Sequence, residues 1–578
     1  MAAESKVEQF TLQRKVAVAG VILLTCTTAL DVARRWRKKG QQLPSPPGYW
    51  PVLGHFVTCM RYCWDNTSLA LARWGVDLYR TEGLTIYRAN FLGHEIVCIA
   101  DPDLVQEVFE QDPHRFTKDF ANAPLGGDLL EYSFKDGLFT AATDDPKWQV
   151  AHRVLIQPFS VLGVRGIMPL MCDQADQLIK AMKRDVGYGN STYIDTWVTK
   201  MAFETIAVCG LGTSFGCFED DQTHPFVTAL NQVVESLDPL GRWPSFLRPI
   251  FCRKLLKSYI ESAGRLRQTC LEILRKRKSE EQKDLNKDLL DRMLLDADPK
   301  TGQTMCEDSI VDNLLTFLFA GQDSTAAAMA SCLCFLCSNP GCKERLLREI
   351  DEVVGDEAVS YEHLSQLQYL DWCIKETLRL MPPAAGALRD STCEQVLGGW
   401  HIPAKAAIVV NTMTLHYRAD LWGADVDQFK PERWEHLGDQ GSQGRKGLPH
   451  KFAFMPFSHG PRACIGREFT LLEQKVTLVK FFQNFDIEQA PAEETAGYAT
   501  LKADGRSPPF LKFDTQLVDS AFLGLYTNFK LLPRCCGKSL SIELWKTGAK
   551  GSLQSGLLGT KTAGLAVQKV NFRDDIYI

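Results

Sequence analysis

Helical spacing of apolar positions dominates the chain, and strand-like runs are short. Two such runs are Glu95–Ala100 (EIVCIA) and Ala407–Val410 (AIVV). Asp308 to Cys337 is long and apolar, with acid and amide residues at its start and Asn339-Pro340 after its end. That length exceeds an average helix, so the spacing predicts a helix that crosses the centre of the domain. Charged stretches such as Arg275–Lys287 read as a solvated helix face and loop. From Pro46 to about Lys512 there is no long low-complexity break and no repeat. The pattern therefore predicts one large domain, mainly α with small β-sheets (α+β), rather than several small ones.

The two ends differ from this body. Val16 to Leu30 (VAVAGVILLTCTTAL) carries no charge, and Asp31 interrupts it. A full membrane span needs about 20 apolar residues, so the stretch is short. Arg14 and Lys15 precede it; Arg34, Arg35, Arg37, Lys38 and Lys39 follow. The larger basic cluster on the C-terminal side places the body in the cytosol. Residues 1–43 are read as a retained single-pass membrane-anchor helix with a basic linker. A cleaved signal peptide and a surface-lying or buried helix are the alternatives. Pro44, Pro46, Pro47 and Pro51 then form a stiff spacer. The domain proper is expected over residues 44–514. Residues 515–578 read as a C-terminal extension, because Gly551–Thr560 is small, polar and aperiodic. Disorder, a loose attachment and an error in the gene prediction stay open there.

Composition excludes several classes. The chain has 578 residues, 45% hydrophobic, 10% aromatic and 23% charged, which is ordinary for a globular protein. Net charge is -5, so no basic excess points to nucleic acid. The 19 cysteines lack the regular spacing of a disulfide framework, and a core this large needs no staples. Reduced thiols in the cytosol are the better reading. Cys332, Cys334, Cys337 and Cys342 lie in an apolar helical run and read as small core residues rather than zinc ligands.

The sharpest chemical signal is Phe457-Ser-His-Gly460-Pro-Arg462-Ala-Cys464-Ile-Gly466. Gly460 permits a tight turn, and Gly466 lets backbone approach a flat ligand. Glu468 onward reads as a helix, which puts Cys464 at a helix N-terminus, where the macrodipole favours thiolate. Arg462 adds a fixed charge suited to a carboxylate. A thiolate in a glycine-lined loop suits an axial ligand to haem iron. The pattern resembles the F-x-x-G-x-R-x-C-x-G haem loop of the cytochrome P450 family at every fixed position.

The resemblance implies further roles. Glu376-Thr-Leu-Arg379 places acid and base on one helix face, and Pro431-Glu432-Arg433-Trp434 follows later. In the family, such segments form a charge cluster behind the haem, here Glu376, Arg379 and Arg433. Ala320-Gly321-Gln322-Asp323-Ser324-Thr325 holds poor mid-helix residues beside a small pair. This reads either as a packed kink or as an oxygen- and proton-handling groove, and the cysteine loop favours the groove. Asp323 would relay protons. Ser324, or Thr325 after it, would donate a hydrogen bond to dioxygen at the iron; the register favours Ser324. Trp148 and His152 match a propionate-holding helix, and Arg389 is a further propionate candidate. Phe139 and Ala320 would shape the substrate pocket.

Within the family, the body is most similar to the haem domains of self-sufficient fatty-acid hydroxylases, through Asp136–Thr140, Trp148–Phe159 and Cys209–Gly212. The stretch after Cys464 is expected to be too short for their fused flavin reductase. The resemblance implies a monooxygenase with haem b and Cys464 as iron ligand. Its expected partners are O2, a lipophilic substrate, membrane lipid and a separate NADPH-cytochrome P450 reductase, with no nucleic acid. Its expected address is the endoplasmic reticulum membrane. The alternatives are a reductase-independent haem-thiolate isomerase or peroxygenase, and a non-catalytic haem sensor or carrier. The resembled hydroxylases clamp a fatty-acid carboxylate with an arginine and a tyrosine, and the matching positions here are His94 and Cys98.

Overall fold

The computed structural model describes residues 43–489 and 528–533, except 52, 59–69, 92–93, 112–113, 119–125, 187–190, 220–223, 242, 244, 280–287 and 438–447. The expected anchor before Leu43 and the polar stretch Gly551–Thr560 lie outside the described residues. Among the described residues, no single helix is long and apolar enough to cross a membrane.

Helices carry most of the domain. Those that build the site are α1 (Ala70–Glu82), α2 (Pro102–Glu110), α3 (Pro146–Leu155), α4 (Val161–Asp185), α5 (Ile194–Leu211), α6 (Arg253–Ser279), α7 (Glu307–Ser338), α8 (Gln368–Leu380), α9 (Thr412–His416) and α10 (Arg467–Asn484). Local chemistry sets their starts. Asp145 caps α3 by accepting from the Lys147 N–H, with Pro146 in the first turn. Ser160 caps α4 through the Gly163 N–H.

The predicted central helix is α7, and about two thirds of its residues are buried. Helix α5 lies against it. A Cβ on Gly321 would stand 2.9 Å from Ile206 Cγ1, so the glycine lets two helices approach closely. The Ala320-Gly321 pair thus has divided duties. Gly321 serves helix packing, and only Ala320 faces open space.

The β structure is small. A five-stranded sheet has the order β1-β2-β8-β5-β3, with β1 Ile86–Phe91, β2 His94–Ile99, β3 Phe116–Thr117, β5 Gly386–Ser391 and β8 Ala407–Asn411. Strands β2 and β8 run parallel, with Ile96 opposite Ala407; the other pairs are antiparallel. Both strand-like runs of the sequence therefore meet side by side. β6 (Gln395–Leu397) and β7 (Trp400–Ile402) form a hairpin.

A three-stranded sheet draws on the chain beyond residue 514. β9 (Phe485–Gln489) and β4 (Ser191–Tyr193) both pair with β10 (Asn528–Pro533). Residues 528–533 fall inside the stretch expected to be an extension, yet they fill the centre of this sheet. Without them β4 and β9 would each leave an edge of backbone groups unpaired. The chain divides at Cys536, and the second unit, Gly537–Ile578, lies outside the described residues.

Candidate functional site

Behind the cysteine loop sits a closed charge cluster. Glu376 and Arg379, one helical turn apart on α8, are both fully buried. Arg379 donates from Nε and Nη2 to the two Glu376 oxygens at 3.0 and 2.8 Å, a bidentate pair. Its remaining donors reach the His416 and Gln428 carbonyls at 2.9 and 3.3 Å. Arg433 Nε reaches Glu376 at 3.3 Å and Nη1 reaches Asp425 at 2.9 Å. Lys430 and Arg433 hold the Asp425 carboxyl down at about 2. The Trp434 indole N–H donates to Glu376 at 3.0 Å, and the Lys430 N–H at 3.2 Å. Both carboxylate oxygens are thus saturated, the condition a buried ion pair needs to stand.

His416 on α9 ties this cluster to the loop, and sequence reasoning missed it. The Arg379 carbonyl lies 3.0 Å from its Nδ1, and the Met455 N–H donates to its Nε2 at 3.0 Å. A carbonyl can only accept and an amide N–H can only donate, so the proton sits on Nδ1. Burial, then the Arg379 charge, pushes the imidazole down to about 3. A lone histidine in a TLHYR context carries no sequence signal for this role.

The loop turns through Ser458 and Gly460, at φ 59° and 73°. A short 3-10 turn, Gly460–Arg462, follows. The Cys464 N–H donates to the Phe457 carbonyl at 2.9 Å and closes the loop. Cys464 itself is accessible, and a Cβ on Gly466 would lie 3.9 Å from its sulfur. The surrounding protein pushes the thiol up, opposed by the Gly466 N–H and the charges of Lys118 and Arg467, and a bound metal would draw off its proton. Lys118 was also missed; its ammonium sits 4.3 Å from the centre of the Phe139 ring.

On α7, Ala320, Asp323 and Ser324 are accessible within an otherwise buried stretch. Ser324 donates to the Ala320 carbonyl at 2.7 Å. Thr325 points the other way. It is buried, and its hydroxyl meets that of Thr470 on α10 at 2.8 Å. The structure therefore separates the two hydroxyls: Thr325 is engaged with α10 and Ser324 with its own helix. Burial raises the Asp323 carboxyl above its ordinary range.

The propionate candidates form a stack. The Arg462 guanidinium lies 4.6 Å over Trp148, whose indole stacks on His152 at 4.8 Å. The Trp148 N–H donates to the Leu138 carbonyl at 3.2 Å. Arg462 donates to the Ala141, Leu138 and Phe139 carbonyls at 2.7, 3.0 and 3.1 Å. Burial, then Arg462 and Arg153, lowers the His152 imidazole. Arg389 on β5 is buried, lies 4.6 Å over Phe109 of α2 and donates to the Leu388 carbonyl at 2.8 Å. A Cβ on Gly460 would stand 3.4 Å from the Phe109 carbonyl, so Arg389 neighbours the cysteine loop through that ring. The clustered cysteines Cys332, Cys334, Cys337 and Cys342 are buried or half-buried and unbridged. No cluster of three or more His, Cys, Asp or Glu side chains placed to share a metal ion occurs among the described residues.

This geometry can be compared with known proteins. The family model described as Cytochrome P450 matches residues 44–497. The chain belongs to the cytochrome P450 family. A bifunctional cytochrome P450/NADPH–P450 reductase of Fusarium oxysporum is 32% identical over 471 residues, covering 80% of this chain and 42% of that relative. A self-sufficient cytochrome P450 monooxygenase of Phanerodontia chrysosporium is 31% identical over 453 residues, covering 77% and 40%. The chain spans about two fifths of the length of these curated relatives. A solved cytochrome P450DA heme domain, 24% identical, superposes with a TM-score of 0.69 over 85% of this chain and 98% of that one; this likeness speaks for the cytochrome P450 fold.

Members of the cytochrome P450 family use haem with a cysteine thiolate as iron ligand. The residues present fit that group. The accessible sulfur of Cys464 sits beside a residue without a side chain, the loop is locked from behind, and three donors capable of meeting carboxylates stand in one stack. Cys464 would hold the iron. Arg462, Trp148, His152 and Arg389 are the candidates for the propionates.

Proposed function

We propose that this protein is a haem-thiolate monooxygenase that inserts one oxygen atom of O2 into a lipophilic substrate. The observation that carries the reading is the pairing of an accessible Cys464, locked from behind, with an accessible Asp323-Ser324 step in a mostly buried helix. Haem, when bound, supplies the oxygen chemistry. One oxygen atom enters the substrate, and two electrons and two protons turn the other into water.

The chain's own residues supply ligand, proton and shape. Asp323 holds a proton at a carboxyl whose surroundings raise its affinity. Ser324, next along, exchanges its bond to Ala320 for one into the cavity. Phe139 beside Phe319, at 6.1 Å, gives the cavity an aromatic wall. An isomerase or a haem carrier would have no use for the Asp323-Ser324 step, which favours the monooxygenase.

The electrons come from an NADPH-dependent reductase as a separate protein at the endoplasmic reticulum membrane. The uncharged Val16–Leu30 stretch and the basic residues after it support that address. Purified protein with such a reductase should consume NADPH and O2 and yield an oxygenated product. Cys464→Ala should abolish that turnover while some haem stays bound; normal turnover by the variant would overturn the reading.

For substrate, a less charged lipophilic metabolite is favoured over a long-chain fatty acid. Cys98 is buried against Tyr87 and Trp74, with its thiol pushed up by burial to about 12. Arg88, the cation left in this hairpin, is 3.5 Å from Glu95. A charge-assisted clamp is worth about 1.5–3 kcal/mol, or roughly 10–100-fold in affinity. A fatty acid and its methyl ester should therefore bind alike. Tight binding of the free acid, much weakened in the ester, would refute this.

A further inference from the structure

The turn that carries Phe139 is gripped from two opposite sides, and only one of the grips belongs to the cysteine loop. On the loop side, Arg462 holds the Leu138 and Phe139 carbonyls. These belong to the peptide groups on either side of Phe139, so both of its backbone torsions are constrained. On the far side stands α7. Asn313 Oδ1 accepts from the Leu138 N–H at 2.9 Å, and Asp312 Oδ2 accepts from the Asp136 N–H at 3.3 Å. Asn313 is fully buried, and its amide is oriented by donation to the Ser309 carbonyl at 2.7 Å. Asp312 is oriented by Arg267 of α6. Between them the turn lies directly on the helix. A Cβ on Gly137 would stand 2.2 Å from Thr316 Oγ1 and 2.8 Å from the Asp312 carbonyl oxygen.

We infer that Asn313, with Asp312 and Gly137, is a specificity-determining positioning element that sets where the Phe139 ring stands over the cavity. None of the three reaches the cavity through its own chemistry. Each acts on the backbone of the turn, and the ring follows, because a phenyl side chain has two torsions once its backbone is fixed. About two and three turns further along α7 are the accessible residues Ala320 and Asp323. The same helix therefore carries the proton-handling step and the grip on the aromatic wall, so the two stay in register.

This inference rests on the reading that the cavity beside Cys464 is where substrate binds, and the test separates the two. The probe is phenylimidazole, whose nitrogen binds haem iron and whose ring must share space with Phe139; its affinity is read from the haem spectrum of the loaded protein. One hydrogen bond is worth about 0.5–1.5 kcal/mol, so Asn313→Ala should shift the affinity roughly two- to tenfold. In a Phe139→Ala background the same substitution should shift it by less than about twofold, the coupling expected of residues that act through one another. Gly137→Ala should move the affinity in the same direction by displacing the turn. A lower melting temperature with unchanged affinity would make Asn313 merely structural and overturn the inference. An equal shift with Phe139 absent would overturn it too. If the unsubstituted protein gives no thiolate-type spectrum with carbon monoxide, the reading of the site itself fails instead.

Discussion

The two sides of the cysteine loop use similar residues to opposite ends. Behind it, Glu376 is buried and both oxygens are occupied by Arg379, Arg433, Trp434 and the Lys430 amide. On α7, Asp323 still reaches solvent, and the protein packed around it, with no charged partner among the causes, raises its carboxyl. A carboxylate whose partners are complete is part of the scaffold. One whose surroundings resist its charge can take up and give back a proton. The same contrast separates adjacent hydroxyls: Thr325 is spent on Thr470, while Ser324 is tied only to its own helix.

The largest effect should come from opening the closed side. Glu376→Gln leaves two buried guanidinium groups around a neutral amide. Breaking a buried pair from one side costs roughly 3–5 kcal/mol, a large share of the 5–15 kcal/mol typical of a domain. Urea midpoints and haem retention should both fall sharply; an unchanged midpoint would erase the contrast drawn here.

A smaller change should appear on α7, and in function rather than stability. Ser324→Ala should keep the melting temperature near that of the parent but divert electrons to peroxide, measured per NADPH consumed. Thr325→Ala should do the reverse. It loses the bond to Thr470, costs about 1 kcal/mol and leaves coupling intact. Uncoupling by Thr325→Ala alone would show that the hydroxyls have been assigned the wrong way round.

A further effect falls on pH dependence. The unfolded chain protonates His416 below about pH 6.5, whereas the folded protein resists until about pH 3. Unfolding therefore takes up a proton in that window, and stability falls as the pH drops through it. His416→Gln should be less stable near neutrality, yet its melting temperature should decline less steeply between those values. Parallel curves would mean that the histidine is not the titrating link between cluster and loop.

What the sequence determined by itself was whatever is local. Repeating apolar positions announced α7 within a residue at each end. The spacing around Cys464 and the Glu376–Arg379 step announced a site, because those residues act on neighbours one turn away. Tertiary structure decided the rest, and for a common reason: it depends on which partner a face meets. Helical period gives Ser324 and Thr325 adjacent directions but does not say which one faces α10. Arg462 is legible as a cation, but its grip on the Phe139 turn depends on a segment far away in the chain. His416 becomes a link only when Arg379 and Met455 arrive on either side of it. Strand β10 has little pattern of its own, and it joins the domain because two strands with unpaired edges were waiting for backbone partners.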